Sequence, residues 1–165
     1  MRKILLLSDT HGHLDDTILK HCADADEIWH AGDFGTIDVS EKLSKIKKLR
    51  AVYGNIDGQD LRKTHPLELN FEVEGLRVMM VHIGGYPGKY PEKVRHLIQL
   101  HRPGLFICGH SHILKVVRDP KFNNMLCVNP GAAGKNGFHQ LRTMIRMEIE
   151  LGKVMNMDVI ELGKR

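Results

Sequence analysis

The sequence predicts an α/β protein built as a two-sheet sandwich flanked by helices, and three observations carry that expectation. The first two thirds alternate short apolar runs with helix-period stretches, one hairpin-like segment interrupts the rhythm, and the last third returns to strand-like alternation.

Ile4–Leu7, Glu27–His30, Arg50–Tyr53, Val78–Val81 and Leu105–Cys108 have the length and composition of buried strands, so they are expected to form a central sheet. Between them, Leu14, Ile18 and Cys22 share a helix face behind Asp15 and Asp16. Val39, Leu43 and Ile46 form a narrow apolar stripe, and Val94, Leu97, Ile98 and His101 form another. From Leu67 to Val73, apolar residues alternate with Glu68, Asn70 and Glu72, and Glu74-Gly75 turns the chain into the next strand. Ile113–Val117 and Asn124–Val128 read as strands. Ile145, Met147, Ile149 and Leu151 alternate with charged residues, and Gly152-Lys153 can turn the chain toward Met155, Met157 and Val159. These late strands are expected to supply the second sheet.

A chain of 165 residues with 42% hydrophobic and 27% charged residues fits one soluble globular domain spanning 1–165, with disorder expected only in the last few residues. At this size folding buries roughly two thirds of the surface of the unfolded chain. Cys22, Cys108 and Cys127 are far apart and form no metal knuckle or disulfide framework, so they read as buried reduced thiols. The apolar run after Lys3 ends at Ser8, too short for a secretion signal or membrane span, so a cytoplasmic location without a membrane partner is expected. The net charge of +4 is concentrated in Lys42–Arg50, where the lysines read as a solvated helix face before they read as a polyanion site.

Five polar signatures stand directly behind the apolar runs: Ser8-Asp9-Thr10-His11, Gly32-Asp33, Gly54-Asn55-Ile56-Asp57, His82, and Gly109-His110-Ser111-His112. Ligands gather beyond the carboxyl ends of strands in α/β sheets, so five loops would deliver Asp, His and Asn side chains to one edge. Singly, each has a plain alternative: Asp9 as a helix cap, Asp33 and Asn55 as turn residues, His82 as a core histidine. A turn explanation does not produce a matched ligand set. His110 and His112 are two apart, which in extended backbone puts both on one side with Cα atoms roughly 6 to 7 Å apart. Asp9 and His11 share that spacing. Two cations about 3.5 to 4 Å apart repel and need a bridging anion, for which Asp33 is the natural candidate.

The set resembles the calcineurin-like metallophosphoesterases, whose pattern is Asp-x-His, Gly-Asp, Gly-Asn, His and Gly-His-x-His. The compact length, the opening Ile-Leu-Leu-Leu-Ser-Asp-Thr-His-Gly and Val128-Asn129-Pro130-Gly131 are similar to the small YfcE-type phosphodiesterase branch. The resemblance implies a four-layer α/β/β/α sandwich. It also implies that Asp9, His11 and His112 hold one metal, that Asn55, His82 and His110 hold a second, and that Asp33 bridges them. Asp33, Asn55 and His110 are then the residues expected to act in catalysis. Two divalent ions are the implied cofactors, manganese first, with iron, zinc, nickel and cobalt suited to the same nitrogen and oxygen donors. Against two ionised carboxylates they leave about +2 of charge, attractive to a phosphate ester that a metal-activated water can attack in line. A small phosphodiester is the expected partner, ahead of nucleic acid, and a homo-oligomer is compatible with the sequence.

Two positions depart from the family pattern. Where many members follow the metal-binding Asn with His or Cys, the His assisting the leaving group, this chain has Ile56 and so lacks a proton donor there. His82-Ile83-Gly84 keeps the first His of a His-Gly-His signature and loses the second. Of the remaining histidines, His13 is near enough in sequence to reach substrate and His30 is expected to pack beside Trp29; His139 has no motif context. Asp57 fits either metal support or turn shaping, and the Asn129-Pro130-Gly131 loop either approaches the site or simply turns. The rival readings are a protein-binding scaffold on the same fold, as in a retromer subunit whose ligand pattern is degraded, and a nuclease acting on nucleic-acid ends, which needs a basic path from the metals and strong salt dependence.

Overall fold

The computed structural model describes all 165 residues. Strands β1 (Arg2–Leu7), β2 (Glu27–His30), β3 (Lys48–Ala51), β9 (Leu141–Glu150) and β10 (Lys153–Lys164) form one five-stranded sheet, in the order β10-β9-β1-β2-β3. Strands β4 (Glu68–Val73), β5 (Leu76–Val81), β6 (Leu105–Ile107), β7 (Leu114–Asp119) and β8 (Met125–Pro130) form the other, in the order β4-β5-β6-β8-β7. β1, β2 and β3 run parallel in the first sheet, and β5, β6 and β8 in the second; antiparallel partners complete each.

The uninterrupted apolar run of β1 is explained by burial on both faces. Ile4 and Leu6 enter the layer between the sheets with Trp29, Met80, Ile107 and Ile145, whereas Leu5 and Leu7 pack outward. That outward face is covered by α1 (Asp16–Ala23), α2 (Ile37–Ile46) and α3 (Gln59–Thr64) through Ile18, Cys22, Val39, Leu43 and Leu61. The second sheet buries Met79, Val81 and Phe106 under Val94 and Ile98 of α4 (Glu92–His101). Helices, sheet, sheet and helix give the four layers. No helix is long and apolar enough to cross a membrane.

Several expectations need correction. The first five predicted strands do not share a sheet, and the late strands are divided: β7 and β8 join the second sheet, whereas β9 returns beside β1. Periodicity identifies which face of a strand is apolar, and β1 and β9 both show an apolar face to the same inter-sheet layer, so neither pattern reveals the partner. Leu151 belongs to the turn with Gly152, at a left-handed φ of 49°, and is exposed. A register shift between Val154 and Asn156 lifts Met155 out of the alternation, leaving Val154 and Met157 against the core. The tail is ordered strand, not disorder, with Lys164 paired to Leu141. Helix α3 was not expected, since it buries only Leu61 and carries no periodic stripe.

Candidate metal centre

Asp9, Asp33, Asn55, His82 and His110 all follow the carboxyl ends of parallel strands: β1, β2, β3, β5 and β6. Because these strands lie in two facing sheets, one loop cluster is assembled from both. Main-chain hydrogen bonds zip neighbouring loops, Asp9 N to Gly32 O at 3.0 Å, His11 N to Asp33 O at 3.1 Å and Gly109 N to His82 O at 3.0 Å. Side chains then cross the gap. The His110 amide donates to Asp9 Oδ2 at 3.1 Å, and His82 Nδ1 lies 2.8 Å from Ala31 O.

Glycines permit this closeness. A Cβ at Gly54 would overlap Asp33 Oδ1, and one at Gly109 would overlap Ser8 Oγ and come within 2.8 Å of Asp9 Oδ2. The backbone also bends at the ligands themselves. Asp9, His11, Asp33, His110 and His112 have φ between 45° and 68°, the left-handed region that side chains with a Cβ avoid. Each such residue costs on the order of 1–3 kcal/mol and persists only where its surroundings impose it, a pattern found at functional sites.

All seven sequence-predicted residues come together. Asp9, His11 and His112 form one set of converging donor atoms, and Asp33, His82 and His110 form another. Asn55 joins the second through Oδ1, which lies 3.0 Å from both His82 Nε2 and His110 Nδ1. Asp33 stands between the sets, with Oδ2 3.2 Å from His82 Nε2 and 3.8 Å from His11 Nε2.

The hydrogen bonds around the rings show what converges. A carbonyl oxygen only accepts, so the Ala31 contact requires the His82 proton on Nδ1 and turns the Nε2 lone pair of the neutral ring toward Asn55 Oδ1 and Asp33. His139 Nε2 donates to Gly134 O at 2.9 Å, so its Nδ1 accepts from His112 Nδ1 at 3.2 Å. The His112 Nε2 lone pair therefore faces Asp9 Oδ1 at 3.2 Å. That oxygen belongs to a carboxylate with no exposure and has no hydrogen-bond partner. Lone pairs facing lone pairs in a buried site call for a cation, and mixed nitrogen and oxygen donors suit a divalent transition metal.

Without one, a proton is the substitute. Burial alone would lower the His82 pKa, but its hydrogen bond to Asp33 and the Asp9 charge raise it; burial would raise Asp33, but His82 and the Ile56 amide hold it below the ordinary carboxylate range. Metal and proton thus compete for one site.

Other residues support the loops. Asp57 accepts from the Gly35 and Gly54 amides at 2.9 and 2.8 Å, which makes it a turn-shaping residue. Asn129 donates to Gly109 O at 2.8 Å and Ser111 Oγ at 3.1 Å and so holds the Gly109–His112 loop. Asp9 caps no helix; that role falls to Asp15, which accepts from Ile18 N at 2.9 Å. His13 is engaged by Asp15 at 3.1 Å and joins neither ligand set. His30 does not pack beside Trp29. Successive strand side chains point to opposite faces, so Trp29 enters the inter-sheet core while His30 stacks on Phe34 at 3.8 Å, contacts Thr10 Oγ1 and accepts from Gly32 N. The roles of His30 and His139 went unseen in sequence, because neither sits in a motif.

The model of the calcineurin-like phosphoesterase superfamily domain matches residues 2–152. The chain belongs to that superfamily. It is 28% identical, over 132 residues, to a probable metallophosphoesterase of Methanothermobacter thermautotrophicus, covering 77% of this chain and 74% of the relative. A predicted phosphoesterase of Streptococcus pneumoniae has the same fold at a TM-score of 0.66 and 19% identity, covering 97% of each chain. Vps29 of Entamoeba histolytica, solved with Zn²⁺, aligns at a TM-score of 0.72 and 13% identity, covering 96% of this calcineurin-like phosphoesterase and 98% of Vps29. Membership makes divalent metals the group to which the two ligand sets correspond.

Proposed function

We propose that this chain is one domain that hydrolyses phosphodiesters at a binuclear metal centre. The observation that carries the reading is the orphaned Asp9 Oδ1 facing the free lone pair of His112, beside a second set with the same acceptor-to-acceptor arrangement. Asp9, His11 and His112 would hold one cation, Asn55, His82 and His110 the other, and Asp33 both. When bound, two such cations acidify a water and polarise the phosphoryl oxygens.

The protein's own residues do the positioning. Asp33 is steered by the Ile56 amide, 3.1 Å from its Oδ1, which leaves Oδ2 toward the ring nitrogens of both sets. Asn55 and His110 are the exposed members, so they are the ones that meet an incoming phosphate. Ile56 is 48% exposed and contributes only its main chain, consistent with a site that lacks a proton donor for the leaving group at that position. Manganese is our first choice of metal; the zinc in Vps29 of the same fold supports zinc as an alternative. Three buried free thiols support a cytoplasmic location.

The competing reading is a non-catalytic scaffold, favoured by the fold similarity to Vps29. A panel of phosphomonoesters, linear and cyclic phosphodiesters and oligonucleotides, run on protein reconstituted with a defined metal, separates the two. Preferential turnover of diesters is expected. A flat profile with both cations bound would leave only the scaffold.

A further inference from the structure

Beside the ligand sets the surface sinks into a cavity of about 400 Å³, a volume typical of small-molecule sites. Asn55 and His82 form part of its wall, so a group seated there touches the residues of the second ligand set. The larger cavity, about 730 Å³, is lined by Arg77, Arg102 and Lys121 near the amino ends of β5 and β6, and it includes none of the seven ligands.

The remaining wall of the smaller cavity is unlike a phosphate site. Leu67 and Ile83 are 49% and 47% exposed, although Leu67 belongs by pattern to the alternation of β4 and Ile83 follows a buried strand. Together they give the cleft an aliphatic rim beside a polar centre, suited to contact with an apolar group. Tyr53 supplies a ring to the same wall, and the Arg62 guanidinium lies 4.9 Å from its centroid. Arg62 is fixed there by donating to the carbonyl oxygens of Asp57 at 2.7 Å and Asn55 at 3.2 Å. The other two charged groups of the wall, Glu68 and Lys93, pair at 3.8 Å. The cavity thus offers planar and aliphatic contact, with one net positive charge that disfavours a cationic occupant.

Resting on the phosphodiesterase reading, we infer that this cavity receives one ester arm of the substrate and selects an arm bearing an uncharged aromatic ring, as an aryl ester or a nucleoside supplies. Leu67 and Ile83 would close over the ring, and Tyr53 with Arg62 would present a stacking platform.

The test uses inert phosphonates as competitors of a reporter phosphodiester, on metal-reconstituted protein. Phenylphosphonate should inhibit about tenfold better than methylphosphonate, and better than cyclohexylphosphonate, which matches it in bulk but is not flat. Thymidine 5′-phosphorothioate, run alongside, tells whether the ring is accepted through a ribose. In the exposed-site double variant Leu67→Ser/Ile83→Ser the phenyl advantage should shrink to the share that Tyr53 and Arg62 supply, about threefold, while inhibition by methylphosphonate stays as in wild type. Methyl NMR signals of Leu67 and Ile83 should shift with phenylphosphonate and not with methylphosphonate, a readout independent of turnover. Equal inhibition by all three phosphonates, or a phenyl preference undiminished in the double variant, would overturn the cavity assignment while leaving the phosphodiesterase reading intact. Absence of turnover on any phosphodiester with both cations bound would instead overturn that reading.

Discussion

The two ligand sets are embedded differently. In the first, Asp9 is fully buried with an unpartnered oxygen, and His112 is locked into one tautomer by His139, itself tied to Gly134 O. In the second, His82 is equally locked by Ala31 O, but Asn55 and His110 are exposed and the neighbouring cavity opens beside them. A cation in the first set would meet a fully buried carboxylate and a His112 ring already oriented by His139, so the fold would meet part of the ordering cost. A cation in the second would be held partly by the exposed Asn55 and His110, the side from which a substrate oxygen would enter. One fold edge thus holds two unlike ligand sets, one closed around a buried carboxylate and one open toward a cavity.

Asp33→Asn should erase the distinction and produce the largest effect. Removing the shared charge is expected to weaken both cations and to lower kcat/KM by on the order of 10²–10³, with circular dichroism unchanged. Loss confined to one cation in a metal titration would show that Asp33 serves only one set. His139→Ala should act on the first set alone, because it frees the His112 ring to adopt the other tautomer; removal of such an outer partner typically costs about 10–100-fold in metal affinity. Equal weakening of both cations, or none, would contradict the relay.

Ile56→His sharpens the second set. It should raise kcat/KM on alkyl diesters with poor leaving groups while leaving activated aryl diesters unchanged, by less than the roughly 10²–10⁴-fold of a fully positioned donor. The measurement is the slope of log kcat/KM against leaving-group pKa: steep in wild type, shallower in the variant. A shallow wild-type slope would show that another donor already acts.

Away from both sets, Asp15→Asn should have the smallest effect. Burial would raise the Asp15 pKa, but the Ile18 amide, Arg142 and His13 bring it down to about 2. A depressed folded pKa means that the stabilisation is present above the unfolded value near pH 4 and is lost as the pH falls toward 2. Asn caps about as well as Asp, so what is lost is the charge facing Arg142 and the helix N-terminus, about 0.3–1 kcal/mol; Tm at pH 7 should fall by about 1–4 °C, with the gap between variant and wild type narrowing below pH 4.

The sequence made the ligands legible for a physical reason. Loops after buried strands have no apolar duty, so Asp9, Asp33, Asn55, His82 and His110 stand out against runs such as Ile4–Leu7. Sheet membership did not show, since β9 and β1 reveal their apolar faces but not each other. The His139 relay spans 27 residues and depends on a loop returning across the site, which no local pattern records. The left-handed backbone at five ligands was equally hidden, because Asp and His carry no glycine-like mark of positive φ. Leu67 read as a strand residue and lies instead in the wall of the cavity beside the ligands.

The central claim, two cations held by seven convergent ligands, is tested most directly by titrating the metal-stripped protein with Mn²⁺ and with Zn²⁺ while counting bound metal per chain. The account predicts two cations at saturation, filled in two steps, with the tighter step lost in Asp9→Ala and the weaker step lost in His110→Ala. Saturation at one cation per chain, with both variants weakening that same step, would contradict it.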